Sequence, residues 1–232
     1  PQEVFIIAAK TLASTVTAED RAVGRMYPPL SKAREVSALI AAAVAEYAFD
    51  QGIVAEGSGR PADLLAVCKA AMYEPFDGAL SGVPSGAATT AAGARIVPGK
   101  GAAFLSRPGG TRVLAVSDAE RTERGLEGLL AAAQLSPRQL LEGAMRQLRE
   151  LERPIDRFNF LASLQATNED LYYAILTQHT DEAMPIVYTP TVGEACQKYS
   201  SHVFQRAPVG LYITMQHKGR VREILDNWPE PD

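Results

Sequence analysis

Between Asp77 and Gly110 the chain reads DGALSGVPSGAATTAAGARIVPGKGAAFLSRPGG, a stretch rich in Gly, Ala, Ser and Pro without sustained apolar periodicity. Such a segment has no face to bury, so one continuous core cannot run through it, and it reads as a flexible linker over 77–123. The short run TRVLAVSD that follows could pair as a strand. The stretch divides the 232-residue chain into two pieces, 1–76 and 124–232, each long enough for a modest core.

Both pieces carry helical patterning. In the first, EVFIIAAKTLASTV from Glu3 to Val16 is helix-compatible, and the paired prolines of RMYPPLS exclude helix there. Ser31 is placed to cap the next helix. Val36, Leu39, Ile40, Ala43, Val44, Tyr47 and Ala48 recur at three- and four-residue steps, which makes one buried face, and Gly52 is placed to end it. A third helix, with Pro61 near its first position, runs through ADLLAVCKAAM.

In the second piece, SPRQ at Ser136–Gln139 is a capping box with proline at the first helical position. Its helix buries Leu141, Met145 and Leu148 and ends by Pro154. Further helices are expected at Ile155–Leu164 and Asn168–Leu176. Ile186–Tyr188 reads as a short strand before Pro190, and TVGE at Thr191–Glu194 as a second capping box opening a helix towards His202. A strand at Leu211–Thr214 and a helix at Val221–Leu225 follow. The expected fold class is mainly α with a few short strands, in two helical lobes.

Composition removes several classes. Lys and Arg number 23 against 27 Asp and Glu, a net −4 without a basic cluster, so nucleic acid is not an expected partner. No run of eighteen apolar residues exists, so no membrane span is expected. Cys68 and Cys196 stand far apart without CxxC spacing, which argues against a disulfide or zinc site and suggests a reducing cytoplasm. The chain starts at Pro1, inside an apolar run, with no signal peptide visible; a chain cut from something longer is expected.

Few motifs carry chemistry. GSGRPA at Gly57–Ala62 matches a GxGxxA dinucleotide pattern by letters, but only Ile53–Ala55 could supply the preceding strand, so a loop is expected. GARIVPGKG at Gly93–Gly101 has one residue too many for a phosphate loop and no Ser or Thr after Lys100. His179, His202 and His217 show no metal-ligand spacing. Cys196 could act as a nucleophile only beside a histidine brought near by folding; a small buried thiol is the expected reading. Glu169–Asp170 and Asp181–Glu182 are expected to face solvent near helix ends.

The most informative segment is MPIVYTPTVGEAC, Met184 to Cys196. Tyr188 precedes a Thr-Pro step that keeps the backbone extended, and a helix follows at once. Such a corner can hold one side chain rigidly at a cleft, and a tyrosine titrating near ~10 is a proton donor at neutral pH. A lysine cation nearby would ease the transfer. A lone tyrosine is more often a core residue with a satisfied hydroxyl.

This segment resembles the tyrosine-bearing segment of malic enzymes. RGLEGLLAA from Arg124, RPIDRFNFLASLQATNEDLYYAIL, GLYIT and ILDNWPE resemble the family's N-terminal domain, over 124–232. EVFIIAAKTLAS, GRMYPPLSKAREVSALIAAAVAEYAFDQG and GRPADLLAVCKAAMYEPF resemble its C-terminal end, over 1–76. The pieces thus stand in the reverse of the family order, as the tail of one copy followed by the N-terminal domain of another.

The resemblance implies oxidation of L-malate with NAD or NADP, decarboxylation at a divalent metal (Mg2+ or Mn2+), and protonation of the enolate to pyruvate. It implies Tyr188 as the final proton donor, in a loop shaped by Thr189, Pro190, Thr191 and Gly193, and a homo-oligomer, dimer or tetramer. The family's base, metal ligands, malate-binding arginine and Rossmann glycines belong to a middle region that is expected after NWPEPD and is not in this chain. The isolated chain is therefore expected to be inactive.

Thr167 stands in Gln165–Asn168 where some members carry an effector-binding arginine, which argues against that activation. The paired arginines of the family are replaced at Gln205–Arg206, with Val209 beyond. Three origins stay open: a window from a tandem enzyme, a mis-assembled reading frame, and a non-catalytic oligomerisation module.

Overall fold

The computed structural model describes residues 2–55, 57–78, 80, 100–105, 116–202 and 211–228. Most of the glycine-rich stretch, the start of the TRVLAVSD run, GARIVPGKG up to Lys100, and Gln205, Arg206 and Val209 lie outside them. Among the described residues no helix is long and apolar enough to cross a membrane.

The first piece is a layer of helices. Helix α1 spans Gln2–Ser14, and α2 spans Ala18–Ala22 in what reads in the sequence as a polar break. A capping box decides α2: the Thr17 hydroxyl accepts from the Asp20 N–H, and the Asp20 carboxylate accepts from the Thr17 N–H. Helix α3 covers Ala33–Asp50 and packs on both α1 and α4, Leu64–Ala70.

Ser31 does not cap α3. Pro29 is extended, and Leu30–Lys32 wind a 3-10 turn that runs straight into the helix, so its first donors are met without a side chain. Gly52 ends α3 as expected: at φ 65 it lets the Ile53 N–H reach back to the Ala48 carbonyl. The expected buried face is only half-buried; Val36 and Ala38 alone in α3 are fully covered. Helix α4 starts later than Pro61 because the Asp63 carboxylate, accepting from the Ala66 N–H at 2.8 Å, fixes the start.

Among the described residues of 77–123 are two short helices: α5, Ala102–Leu105, and α6, Asp118–Glu123, capped by Ser117. Phe104, Val116 and Leu126 form a small buried cluster beside them. Arg121 is buried and acts as a staple, donating to the carbonyls of Val116, Ala131 and Ala133.

The main core belongs to the second piece. Helices α7 (Pro137–Glu150), α8 (Pro154–Thr167), α9 (Glu169–Gln178) and α10 (Thr180–Val187) pack together. Helix α11, Thr191–Gln197, lies against α8 and α10. The Ser136–Gln139 box forms, and Leu141, Met145 and Leu148 are buried as their spacing predicts. Asn168 caps α9 through its side chain. Met145, Leu148, Leu161, Leu171, Ala174 and Ile175 close the core. Burial on this scale, about 2 kcal/mol per large side chain, is what makes short helices stable.

The fold is mainly α, and among the described residues the few expected strands do not form. Ile186 and Val187 end α10 instead, with the Tyr188 N–H closing on the Met184 carbonyl at 2.9 Å. An apolar run this short has no period that separates strand from helix, and Ala183 and Ile186 supply a helical buried stripe. Leu211–Thr214 is irregular, with no partner ladder among the described residues. Helix α12, Tyr199–His202, follows a break after α11, and α13 spans Val221–Asp226.

The two pieces touch. A 3-10 turn at Pro75–Gly78 lies on α9, and the turn at Leu30–Lys32 meets α10. Phe76 is only 3% exposed and sits in the core cluster of the second piece. Its φ of 54 is left-handed, a conformation that costs a non-glycine residue about 1–2 kcal/mol. Burying the ring, about 2 kcal/mol, offsets that.

Candidate functional site

Tyr188 sits where α10 ends and α11 begins. Its backbone is extended, and the Thr189–Pro190 peptide that follows is cis. The side chain is 65% exposed, so the buried-core reading of this tyrosine does not hold. The corner itself is firm. The Tyr188 carbonyl accepts from the Val192 N–H at 3.0 Å, and the Pro190 carbonyl accepts from Gly193 and Glu194.

Those carbonyls also explain why TVGE is not a capping box. Pro190 is already in the helical region and is the cap residue, so Thr191 becomes the first residue of α11 and is buried. The Glu194 carboxylate turns to Lys198, one turn along, at 2.7 Å. Lys198 is thereby engaged with Glu194.

Beyond α11 lies an aromatic group. The Tyr199 and Tyr212 hydroxyls are 2.8 Å apart with their rings tilted at 5.8 Å. The hydrogen bond with Tyr199, with burial and the nearness of Tyr199 and Cys196, pushes Tyr212 above the usual phenol range. Cys196 is exposed and free rather than the small core thiol its sequence context suggests.

The remaining titratable residues are structural. His217 accepts from the Thr214 N–H through Nδ1 at 3.2 Å, and His179 Nδ1 lies 3.7 Å from Glu182; the His202 side chain lies outside the described residues. Glu182 does not simply face solvent, since Arg149 grips its carboxylate from Nε and Nη2 at 2.9 and 2.6 Å. Asp170 is likewise engaged, by Tyr73 and Phe76 of the first piece. Among the described residues no group of three His, Cys, Asp or Glu side chains could hold a metal ion. GSGRPA forms an irregular loop with no strand before it, so it is no dinucleotide fingerprint.

The corner therefore presents one exposed phenol on a turn closed by backbone bonds, and among the described residues no cluster of metal ligands stands by it. Two family models match the chain: the malic enzyme NAD-binding domain over residues 1–49, and the malic enzyme N-terminal domain over residues 165–232. The chain resembles malic enzymes at both of its ends. The domain named N-terminal follows the NAD-binding segment, the order expected from the resemblance. Among malic enzymes, the chain is 42% identical over 130 residues to the NADP-dependent malic enzyme 4, chloroplastic, of Arabidopsis thaliana, covering 56% of this chain and 20% of that protein. It is 43% identical over 130 residues to the NADP-dependent malic enzyme of Phaseolus vulgaris, covering 56% of this chain and 22% of that one. The chloroplastic enzyme of Oryza sativa subsp. japonica is equally similar, at 43% over 130 residues, with 56% and 20% covered. The chain spans about a fifth of the length of the curated relatives it matches.

Proposed function

We propose that this chain is the junction between two malic enzyme units, with 1–76 the C-terminal end of one NAD-binding domain, 77–123 the connection, and 124–232 the N-terminal domain of the next. The whole protein then oxidises L-malate and releases pyruvate and CO2, using NAD or NADP and Mg2+ or Mn2+. The observation that carries this reading is the coexistence of both family segments in reversed order, with an exposed Tyr188 on the corner between α10 and α11.

Within that enzyme Tyr188 is the proton donor. Its neutral phenol gives up its proton to the enolate carbon of the three-carbon product, and the backbone bonds at the corner hold the ring's root still. The cofactor and metal do not fit the residues described in this chain: no ligand cluster and no glycine fingerprint are found among them. No step through either group is therefore assigned to this chain, and the 232-residue chain by itself is inactive.

The complete protein, by its resemblance to malic enzymes, assembles into a dimer or tetramer. The free thiols of Cys68 and Cys196 support a reducing compartment such as the cytoplasm.

The test is the intact mass of the native gene product, followed by malate-dependent NAD(P)H formation with the product, its Tyr188→Phe variant and the 232-residue chain. A product several times heavier than 24.9 kDa, active and disabled by Tyr188→Phe, is expected. Turnover by the 232-residue chain overturns the assignment of inactivity. A product near 24.9 kDa turns the reading to a non-catalytic module.

A further inference from the structure

The contact between the pieces has the makeup of a recognition site. Phe76 is the anchor, buried in the cluster that holds Met145, Leu171 and Ile175. The Tyr73 ring meets Tyr173 edge-on, with centroids 5.5 Å apart and planes at 71°. One carboxylate oxygen of Asp170 accepts from the Tyr73 hydroxyl at 2.5 Å and lies 3.4 Å from the Phe76 N–H.

The same segment is tied to its own piece. Arg34 of α3 donates to the Tyr73 carbonyl at 2.8 Å and pairs with the Glu74 carboxylate. Residues 73–76 thus carry α3 on one side and grip α9 on the other. A second contact joins the turn at Leu30–Lys32 to α10.

We infer that the α7–α9 face is a receptor for the Tyr73–Phe76 segment, and that the end of one malic enzyme unit is held on the next by this contact, independently of the covalent connection. The inference rests on the tandem reading for the identity of the partner. Its chemistry is an apolar anchor plus a neutral phenol donated to a carboxylate, so the receptor prefers tyrosine to phenylalanine at position 73.

The experiment uses the full chain with a specific protease site replacing residues 86–91. After cleavage, size-exclusion chromatography at micromolar concentration reads whether the two pieces stay together. Co-elution is expected, with the association weakened at least tenfold by Phe76→Ala and several-fold by Tyr73→Phe, a variant that removes only the hydroxyl. Separation of the unmutated pieces overturns the inference. So does unchanged association of both variants with helical circular dichroism intact. The mass of the gene product decides the tandem reading separately, so either idea can fail alone.

Discussion

Tyr73 donates its hydroxyl to Asp170 across 97 positions of sequence, and that bond joins the first piece of the chain to the first turn of a helix in the second. Phe76, three residues on, buries its ring beneath the same helix.

Phe76 sets two requirements against each other, since its ring wants burial and its left-handed backbone favours glycine. Phe76→Ala keeps the backbone cost and loses the ring, so a loss of about 3 kcal/mol is expected. Phe76→Gly removes both, and it is expected to be no less stable than Phe76→Ala, against the usual ranking of glycine and alanine. Urea unfolding of both variants checks this; a glycine variant clearly below the alanine variant contradicts it.

Arg121 holds three carbonyls from a buried position. Arg121→Met is expected to destabilise the region around Phe104 by about 2–4 kcal/mol, because those acceptors lose charged donors. Arg121→Lys recovers only part of it, lacking the planar fork. Hydrogen exchange of the Leu126 amide, which bonds to the Arg121 carbonyl, gives a local readout.

The grip of Arg149 holds the Glu182 carboxyl below the ordinary carboxylate range, chiefly through the side-chain hydrogen bond. A lowered folded value means that the contribution is complete above the unfolded value of about 4.3 and disappears as pH falls through the lowered one. The melting temperature should therefore hold from neutrality to about pH 5 and decline below it, with a shallower decline in Arg149→Ala. Both side chains are about half exposed, so the effect is small and shrinks in high salt. Identical acid profiles for the two proteins would refute it.

Tyr188→Phe tests the corner in the opposite sense. With the ring mostly in solvent, its loss of a hydroxyl should leave stability within about 0.5 kcal/mol. A proton donor's removal should nevertheless lower turnover of the complete enzyme by about 10²–10⁴-fold. A large change in the melt with little change in rate would reverse the assignment.

Ser136→Ala removes half of the capping box of α7 and is expected to cost about 1 kcal/mol, read from denaturant midpoints. Gln139→Ala should cost less, since the Ser136 hydroxyl still meets the Gln139 N–H.

Some devices closed within a few residues were legible from sequence, as the Ser136–Gln139 box and the stop at Gly52 show, whereas the equally local Thr17–Asp20 box and Asp63 cap were not. Ile186–Tyr188 was not, because three apolar residues fit either period and packing under α8 decides for helix. TVGE had the right letters, but carbonyls of Tyr188 and Pro190 reach the donors first. The partner of Asp170 was illegible in principle, since nothing near it in sequence announces Tyr73. For the candidate site, the sequence located Tyr188 at a corner; only coordinates showed it exposed and Cys196 with it.

The ends of the connecting stretch have a consequence for the length of the connection. Before it, Phe76 is planted in the core of the second piece; within it, the Gly101 N–H bonds to the Arg124 carbonyl at 2.8 Å. Whatever lies between is topologically a closed loop, and the free energy of closing a loop rises by only about 0.6 kcal/mol for each doubling of its length. Nearly any insert of modest size between them would be tolerated, because the two anchors, rather than the intervening residues, decide where each piece lies.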